Sequence, residues 1–430
     1  MAARRHDDQL AFISAGAIDN MQDTLLRIDW LPMMFVCGAA LYAVVAVLAS
    51  LMSVSRAAAR ERRSLPMRAP VPVSVLKPLC GAEPRLFDNL ATFCEQTHPC
   101  FELICGVSSA DDPAIAIVHR LQAEYPHCRI LLVVDPRVHG TNLKVSNLIN
   151  LAQCARHDVF VLADSDIAVE SDYLERVCAP LADPQVGVVT CLYRAKGIAG
   201  FWSRVGAQFI NEWFVPSVRI AHAFGSTRFG FGATLALRRS TLAGIGGFER
   251  LRNTLADDYW LAGHVRELNL HTVLSPVVVE TDVTERTLAT LWNRETRWLR
   301  TIRSVNRAGF ALLFVTFTMP WMACGAWLAF ALHRASMHPA LSIALVVAAV
   351  TGVSARVVLH ALMGGERRRL WRDLALMPVR DVLLFAQWMA GSFGSTVVWR
   401  GVRVPVESTD SATTVFRPET ANALEVSDGR

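Results

Sequence analysis

Leu31 to Val54 is a run with no charged residue, and it is long enough to cross a bilayer as one helix. A stretch like that starts too late for a signal peptide and has no clear small-residue cleavage site before the basic run that follows, so it reads as an anchor. Arg56, Arg60, Arg62, Arg63 and Arg68 come directly after it. By the positive-inside rule they put the following chain in the cytoplasm and the polar tail 1–30 on the other side. Two more apolar stretches, Phe310–Leu332 and Leu341–Met363, sit near the other end, joined by a short loop containing Pro339. Glu366-Arg367-Arg368-Arg369 with Arg372 brings the chain back to the cytoplasm. Val382–Trp399 is shorter and follows Pro378, Arg380 and Asp381; it is either a fourth span or a helix at the interface. Residues 401–430 form a polar tail.

Apolar blocks at both ends enclose a middle of ordinary globular character. With 52% hydrophobic and 19% charged residues and a mean hydropathy of +0.31, the chain is too apolar for a soluble enzyme and too charged for a bundle of spans alone. The net charge of +5 is modest and clustered, which suits a membrane-facing surface and not a nucleic-acid partner. Ten cysteines with no C-x-x-C spacing argue against a structural zinc site.

From about residue 69 to 305, short apolar runs alternate with helical patterns. Val71–Leu76, Phe101–Val107, Ile130–Val134 and Val159–Ala163 read as strands. Pro84–Glu95, Asp112–Glu124 and Lys144–Arg156 read as the helices between them. This rhythm predicts βαβ units, hence an α/β fold with a mostly parallel sheet and helices on both faces. Val186–Leu192 is a further strand. Ile198–Ala223, with Phe201, Trp202, Phe209, Trp213 and Phe214 among charges, is either a helix at the membrane surface or one facing the core. Phe229-Gly230-Phe231-Gly232 allows a backbone to approach closely, and Gly244–Phe248 reads as a helix end and turn. No G-x-G-x-x-G and no Walker loop is present, so dinucleotide and P-loop chemistry lack their signature.

Five groups of residues could do chemistry. Lys77-Pro78 ends the first strand, where ligands bind in open α/β sheets. Asp111-Asp112-Pro113 follows the second. Asn142-Leu143-Lys144 opens a helix, where N–H groups and a cation suit a phosphate. Asp164-Ser165-Asp166 ends the fourth strand; it is either a turn or a pair of hard oxygen ligands for a divalent cation. Asp257-Asp258 is followed by Arg294-Glu295-Thr296-Arg297-Trp298.

The order Asp112, Asp164-x-Asp166, Asp258, Arg294-x-x-Arg297-Trp298 resembles the D, D-x-D, D, (Q/R)-x-x-R-W pattern of family 2 glycosyltransferases of the GT-A type. Within these the chain is similar to the ceramide glucosyltransferase group, through Val75-Leu76-Lys77-Pro78-Leu79 with Gly81, Asp111-Asp112-Pro113-Ala114, Gly140-x-Asn142-x-Lys144 and the Arg at 294. The resemblance covers about residues 71–404. Thr190-Cys191-Leu192-Tyr193-Arg194 and Trp399-Arg400-Gly401 look most like the bacterial hopanoid-biosynthesis glycosyltransferases. One departure is Ser108-Ser109-Ala110, where ceramide-type members often carry a further acid; the nucleotide contact is then Asp111 or Asp112.

The resemblance implies a multi-pass enzyme of the cytoplasmic membrane with its catalytic domain in the cytoplasm. It implies inverting transfer from a UDP-sugar, with N-acetylglucosamine and a hopanoid hydroxyl as the leading pair, and UDP-glucose with ceramide as the alternative. Asp164 and Asp166 would hold Mg²⁺ or Mn²⁺ on the diphosphate, and Lys77, Pro78, Asp111, Asp112, Lys144 and Asp164 would contact the donor. Asp258 would be the general base, helped by burial beside Asp257. Arg294, Arg297 and Trp298 would close over the diphosphate or shape the acceptor channel. Few spans argue against a polymer synthase with its own channel. A non-catalytic lipid transport or scaffold protein is the reading from another class.

Overall fold

A computed structural model describes residues 30–55, 70–336, 338–363, 367–399 and 402–405. The arginines at 56, 60, 62, 63 and 68, Glu366, the 1–29 tail, Arg400-Gly401 and the tail beyond 405 lie outside the described residues.

Helix α1 (Trp30–Ser55) precedes the globular part. That part starts as a regular alternation: β1 (Val73–Pro78), α2 (Leu86–Cys94), β2 (Phe101–Val107), α3 (Ala114–Glu124), β3 (Ile130–Val134), α4 (Leu143–Cys154), β4 (Val159–Leu162). The four strands pair in parallel in the order β3-β2-β1-β4. Side chains alternate between faces with period two. Val73 and Val75 therefore meet α2 and α3 in one core, while Leu76 meets α4 in the other.

After β4 the pairing changes. The chain continues through β5 (Ile167–Ala168), α5 (Tyr173–Cys178), β6 (Val186–Gly197), α6 (Phe201–Phe209), a π turn over Ile210–Phe214, α7 (Val215–Ala223), β7 (Leu235–Arg238), α8 (Arg239–Gly244), α9 (Asp257–Glu267) and β8 (His271–Val283). The result is an eight-stranded sheet in the order β3-β2-β1-β4-β7-β6-β8-β5. β7 runs antiparallel to β4 and β6, and β5 antiparallel to β8, so the sheet is mixed in this half. β6 runs past Leu192, where its apolar run ends. Pairing with β8 continues to Gly197, and the Asn211 amide bonds both N–H (2.8 Å) and C=O (2.9 Å) of Ala195.

α10 (Leu288–Val305) leads out of the sheet into α11 (Arg307–Leu312), α12 (Thr318–Arg334), α13 (Pro339–Met363), α14 (Arg367–Leu374) and α15 (Met377–Gly391), then a hairpin of β9 (Thr396–Trp399) and β10 (Val402–Pro405). Among the described residues two helices, α1 and α13, are long and apolar enough to cross a membrane. The stretch expected as one span at 310–332 is two helices, Arg307–Thr316 and Thr318–Arg334, bent by 52°. Pro320 explains the break, because it has no N–H for the Thr316 carbonyl and its ring would collide there. Val36, Ala39 and Ala40 of α1 pack on Met322 and Ala329 of α12 and on Leu345 and Ala349 of α13.

The apolar stretch 382–399 is not one helix. α15 begins earlier, with Pro378 in its first turn, and ends at Gly391. Gly394 follows at φ 85°, and the β-branched run Thr396-Val397-Val398 takes up the hairpin instead. Fifteen helical residues reach about 22 Å, short of a hydrocarbon core of about 30 Å.

α10 is joined to α15 by a fully buried ion pair, Arg380 Nη1 to Glu295 Oε2 at 2.7 Å. Replacing Glu295 by Ala leaves the guanidinium buried without its carboxylate. A loss of about 3–5 kcal/mol is expected, seen as a fall in melting temperature of the detergent-solubilised protein. The double change Glu295→Met, Arg380→Met should recover most of it. A single variant as stable as the parent would show that this pair does not join the two helices.

Candidate active site

A cavity of about 550 Å³ opens at the carboxyl ends of β1 and β4. Asp164 and Asp166 enter it from the turn after β4, and Asp257 and Asp258 from the first turn of α9. Lys144 enters from the first turn of α4, and Arg294, Arg297, Trp298 and Thr301 from one face of α10. That last set recurs every three or four residues, as one helix face must.

Each group is fixed by local chemistry. Asn142 caps α4 by accepting from the Val145 N–H at 3.1 Å. Its amide also donates to the Thr254 carbonyl at 2.8 Å and to Asp257 Oδ1 at 3.2 Å. One side chain thus places both Lys144 and Asp257. Lys144 Nζ sits 2.6 Å from Asp164 Oδ1 and 3.7 Å from Asp257 Oδ2. Burial works against its charge, but Asp164, Asp257 and Asp258 outweigh burial and hold its pKa above the usual lysine range.

Asp258 Oδ2 accepts from the Gly232 N–H and Oδ1 from the Tyr259 N–H, both at 2.8 Å. Burial first, and the charge of Asp257 second, push its pKa up to about 6. The Phe229–Gly232 loop approaches protein carboxylates here. A Cβ on Gly232 would lie 3.0 Å from both Asp164 Oδ2 and Lys144 Nζ.

Asp166 Oδ2 accepts from Thr281 Oγ1 at 2.8 Å. Burial, then the charges of Asp164 and Glu83, raise its pKa to about 7. A carboxylate so disfavoured as an anion suits a partner cation. Among the described residues no set of three His, Cys, Asp or Glu is grouped for a metal. Two hard oxygen donors still fit Mg²⁺ or Mn²⁺, because Mg²⁺ takes one or two carboxylates and completes its shell with phosphates and water.

Lys77 is not among the residues that line the cavity. It follows Val73 and Val75 on the same face of β1, so it points under the sheet edge and is fully buried. Its Nζ lies 3.7 Å from the Phe93 ring and donates to the Asp164 carbonyl at 2.8 Å. Burial lowers its pKa to about 7. Lys77 therefore supports the backbone of the Asp-Ser-Asp turn, while Pro78 does line the cavity.

Asp111 is exposed and Asp112 half-buried, and neither is among the lining residues. The Asp112 carboxylate takes the Gly81 N–H at 3.0 Å and the Ala114 N–H at 2.9 Å. It caps α3 and pins the loop after β1, which is work inside the protein.

Arg294 pairs with Glu285 at 2.7 Å, and its guanidinium carbon lies 5.1 Å from the Trp298 ring. Several lining residues had no motif to mark them. Glu83 accepts from Ser165 Oγ at 2.8 Å. Asp282 takes Arg85 at 2.8 Å and Asn89 at 3.1 Å. Tyr193 packs against Phe214 with ring centroids 5.1 Å apart. A search of the motif flanks for partner charges would have found Glu285, ahead of Arg294. Asp282 reaches the site only through β8 pairing with β5 and β6, which no local signal gives.

The profile described as Glycosyl transferase family 21 matches residues 38–412. Ceramide glucosyltransferase 1 of Caenorhabditis elegans is 24% identical over 229 residues, 53% of this chain and 49% of that protein. The ceramide glucosyltransferase of Komagataella phaffii is 31% identical over 121 residues, 27% of this chain and 24% of that one. The chain spans about half the length of the first curated relatives it matches. Among solved structures, mannosyltransferase PcManGT from Pyrobaculum calidifontis in complex with GDP-Man and Mn²⁺ has 19% identity and a TM-score of 0.44, covering 83% of this chain and 99% of that one. The mixed sheet with helices on both faces is of the GT-A type. The ceramide glucosyltransferase-like kinship read from the motifs holds, under a different family number from the one their order suggests. The chain belongs to glycosyl transferase family 21.

Proposed function

We propose that this protein is a membrane-bound glycosyltransferase that moves a sugar from a UDP donor to a lipid hydroxyl with inversion. The observation that carries the reading is the single cavity shared by Asp258, Lys144 and the Asp164-Ser165-Asp166 turn. The relatives above bear the name ceramide glucosyltransferase, which favours glucose and ceramide over N-acetylglucosamine and a hopanoid polyol.

The acceptor oxygen attacks the anomeric carbon of the donor sugar. The bond from that carbon to the diphosphate breaks, and its electron pair leaves with UDP. The acceptor proton passes to Asp258, whose pKa of about 6 makes it a stronger base than a free aspartate yet mostly ionised at neutral pH. Lys144 holds a full positive charge toward the leaving diphosphate. Asp164 and Asp166 would hold Mg²⁺ or Mn²⁺, which when bound supplies Lewis-acid stabilisation of the same phosphates. The same proposal includes α1 and α13 in the bilayer of the inner membrane, a multi-pass topology, and the cavity on the cytoplasmic side, where nucleotide sugars are found.

Three outcomes test this. Asp258→Asn should cut transfer about 10²–10⁴-fold while the dissociation constant for the UDP-sugar stays close to the parent's. Because a protonated Asp258 cannot accept a proton, kcat/KM for the acceptor should fall tenfold per pH unit below about pH 6, and this limb should vanish in the variant. An unchanged profile removes Asp258 as the base.

Asp164→Ala and Asp166→Ala should abolish the dependence of donor binding on added Mg²⁺ or Mn²⁺, read by calorimetry. Metal dependence equal to the parent's counts against the cation role.

Gly232→Ala forces a methyl within 3.0 Å of Asp164 and Lys144. Asp164 Oδ2 and Lys144 Nζ must then give by a few tenths of an ångström, and donor affinity should fall. Donor affinity equal to the parent's would show that the loop yields freely and that this approach does not shape the donor site.

A further inference from the structure

The π turn Ile210–Phe214 interrupts what would otherwise be one helix, and such interruptions recur at functional sites. Ile210, its first residue, lines the cavity beside Tyr193 and Trp298. These three side chains bring apolar and aromatic surface into a cavity that also holds the carboxylates.

The rest of the same segment is fastened to the membrane-side helices. Glu212 is buried and takes His360 Nδ1 at 2.7 Å on Oε1 and Arg356 Nη1 at 3.4 Å on Oε2, both from α13. Arg356 in turn pairs with Asp381 of α15 at 3.1 Å, and Asp381 Oδ2 accepts the Met319 N–H of α12 at 3.0 Å. Trp213 Nε1 donates to Thr316 Oγ1 at 2.8 Å, at the bend before α12. Ser217, just after the turn, is 2.8 Å from the Tyr42 hydroxyl of α1. One short segment therefore carries cavity wall on one side and contacts α1, α12 and α13 on the other. Buried charges in such a place are costly, and they persist where they hold something in position.

We infer that the π turn forms the acceptor subsite, that Ile210 with Tyr193 and Trp298 seats the apolar portion of a lipid alcohol next to its hydroxyl, and that Glu212 is the positioning residue fixing this wall to the membrane helices. This deepens the proposed function and rests on it. The acceptor enters from the bilayer side, between the turn and α10, and the donor lies against Lys144, Asp164 and Asp166. Asp164, Asp166 and Lys144 stand on strand and helix ends of the sheet, where Lys144 holds Asp164 and Asp257, Lys77 holds the Asp164 carbonyl and Thr281 holds Asp166.

The test uses the full-length protein in nanodiscs, with UDP-glucose as donor and short-chain ceramide as acceptor, and a bacterial hopanoid polyol in a parallel series. Ile210→Trp fills the subsite, and Ile210→Ala enlarges it in case the larger residue prevents folding. Glu212→Gln keeps the shape and removes the charge. Expected are a rise of at least tenfold in acceptor KM for Ile210→Trp and at least threefold for Ile210→Ala and Glu212→Gln. Donor KM, and the rate at which the donor is hydrolysed without acceptor, should stay within twofold. Glu212→Asp should restore part of the acceptor KM, which a general loosening of the fold would not predict. If donor and acceptor KM rise together, or neither changes, the π turn is merely structural and this inference is overturned. A wild-type protein that hydrolyses the donor but glycosylates neither lipid overturns the proposed function and this inference with it.

Discussion

Asp164, Asp166, Asp257 and Asp258 face one cavity, and like charges brought together in a low dielectric repel. The surrounding structure is arranged to hold them there. Lys144 bridges the two pairs, reaching Asp164 from one side and Asp257 from the other. Backbone N–H groups of Gly232 and Tyr259 take Asp258, and Lys77 holds the main chain of Asp164 from below. Burial first, and the repulsion that remains second, raise the pKa values of Asp166 and Asp258. The two need not share a purpose. Under the proposed reaction, Asp166 takes a cation and Asp258, in the first turn of α9, takes the proton.

The motifs located these acids because chemistry requires their residue types at strand ends, and the alternating apolar runs located the strands. What the sequence hid was direction. Lys77 and Pro78 are adjacent, yet the period of two sends Lys77 under the sheet and leaves Pro78 on the cavity wall. Asp112 stands in a loop, where a carboxylate is open to use by its own neighbours, and it serves Gly81 and Ala114. Tertiary partners gave the remaining differences. β6 outlasts its apolar run because β8 and Asn211 hold it, and Asp282 enters the site through that same pairing. The apolar run 382–399 looked like one helix because hydropathy does not register Gly394 or the β-branched residues that turn it into a hairpin. The bend at Phe317 was legible in Pro320, but only once the helix on either side is known.

α10 joins the sheet to α15. Its cavity face carries Arg294, Arg297, Trp298 and Thr301. Glu295 and Leu299 on its other side are fully buried, Glu295 against Arg380 of α15. Gly206 of α6 allows the close crossing, since a Cβ there would fall 2.8 Å from Arg294 Nη2.

Transfer to a lipid hydroxyl poses a solvent problem under the proposed reaction. Water is a better placed nucleophile than a lipid unless it is kept out, and the cavity that polarises a diphosphate is itself strongly hydrated. A wall that carries charged and apolar side chains together resolves this. The charged groups would bind the donor through interactions that gain strength only as water leaves. Against Ile210, Tyr193 and Trp298 a lipid would displace water on its own account and so strengthen those interactions. For that coupling to work, the wall must keep its shape whether or not the lipid is present. The buried pairs Glu212–Arg356 and Glu295–Arg380, one on the π turn and one on α10, hold those two elements at the cost of four desolvated charges.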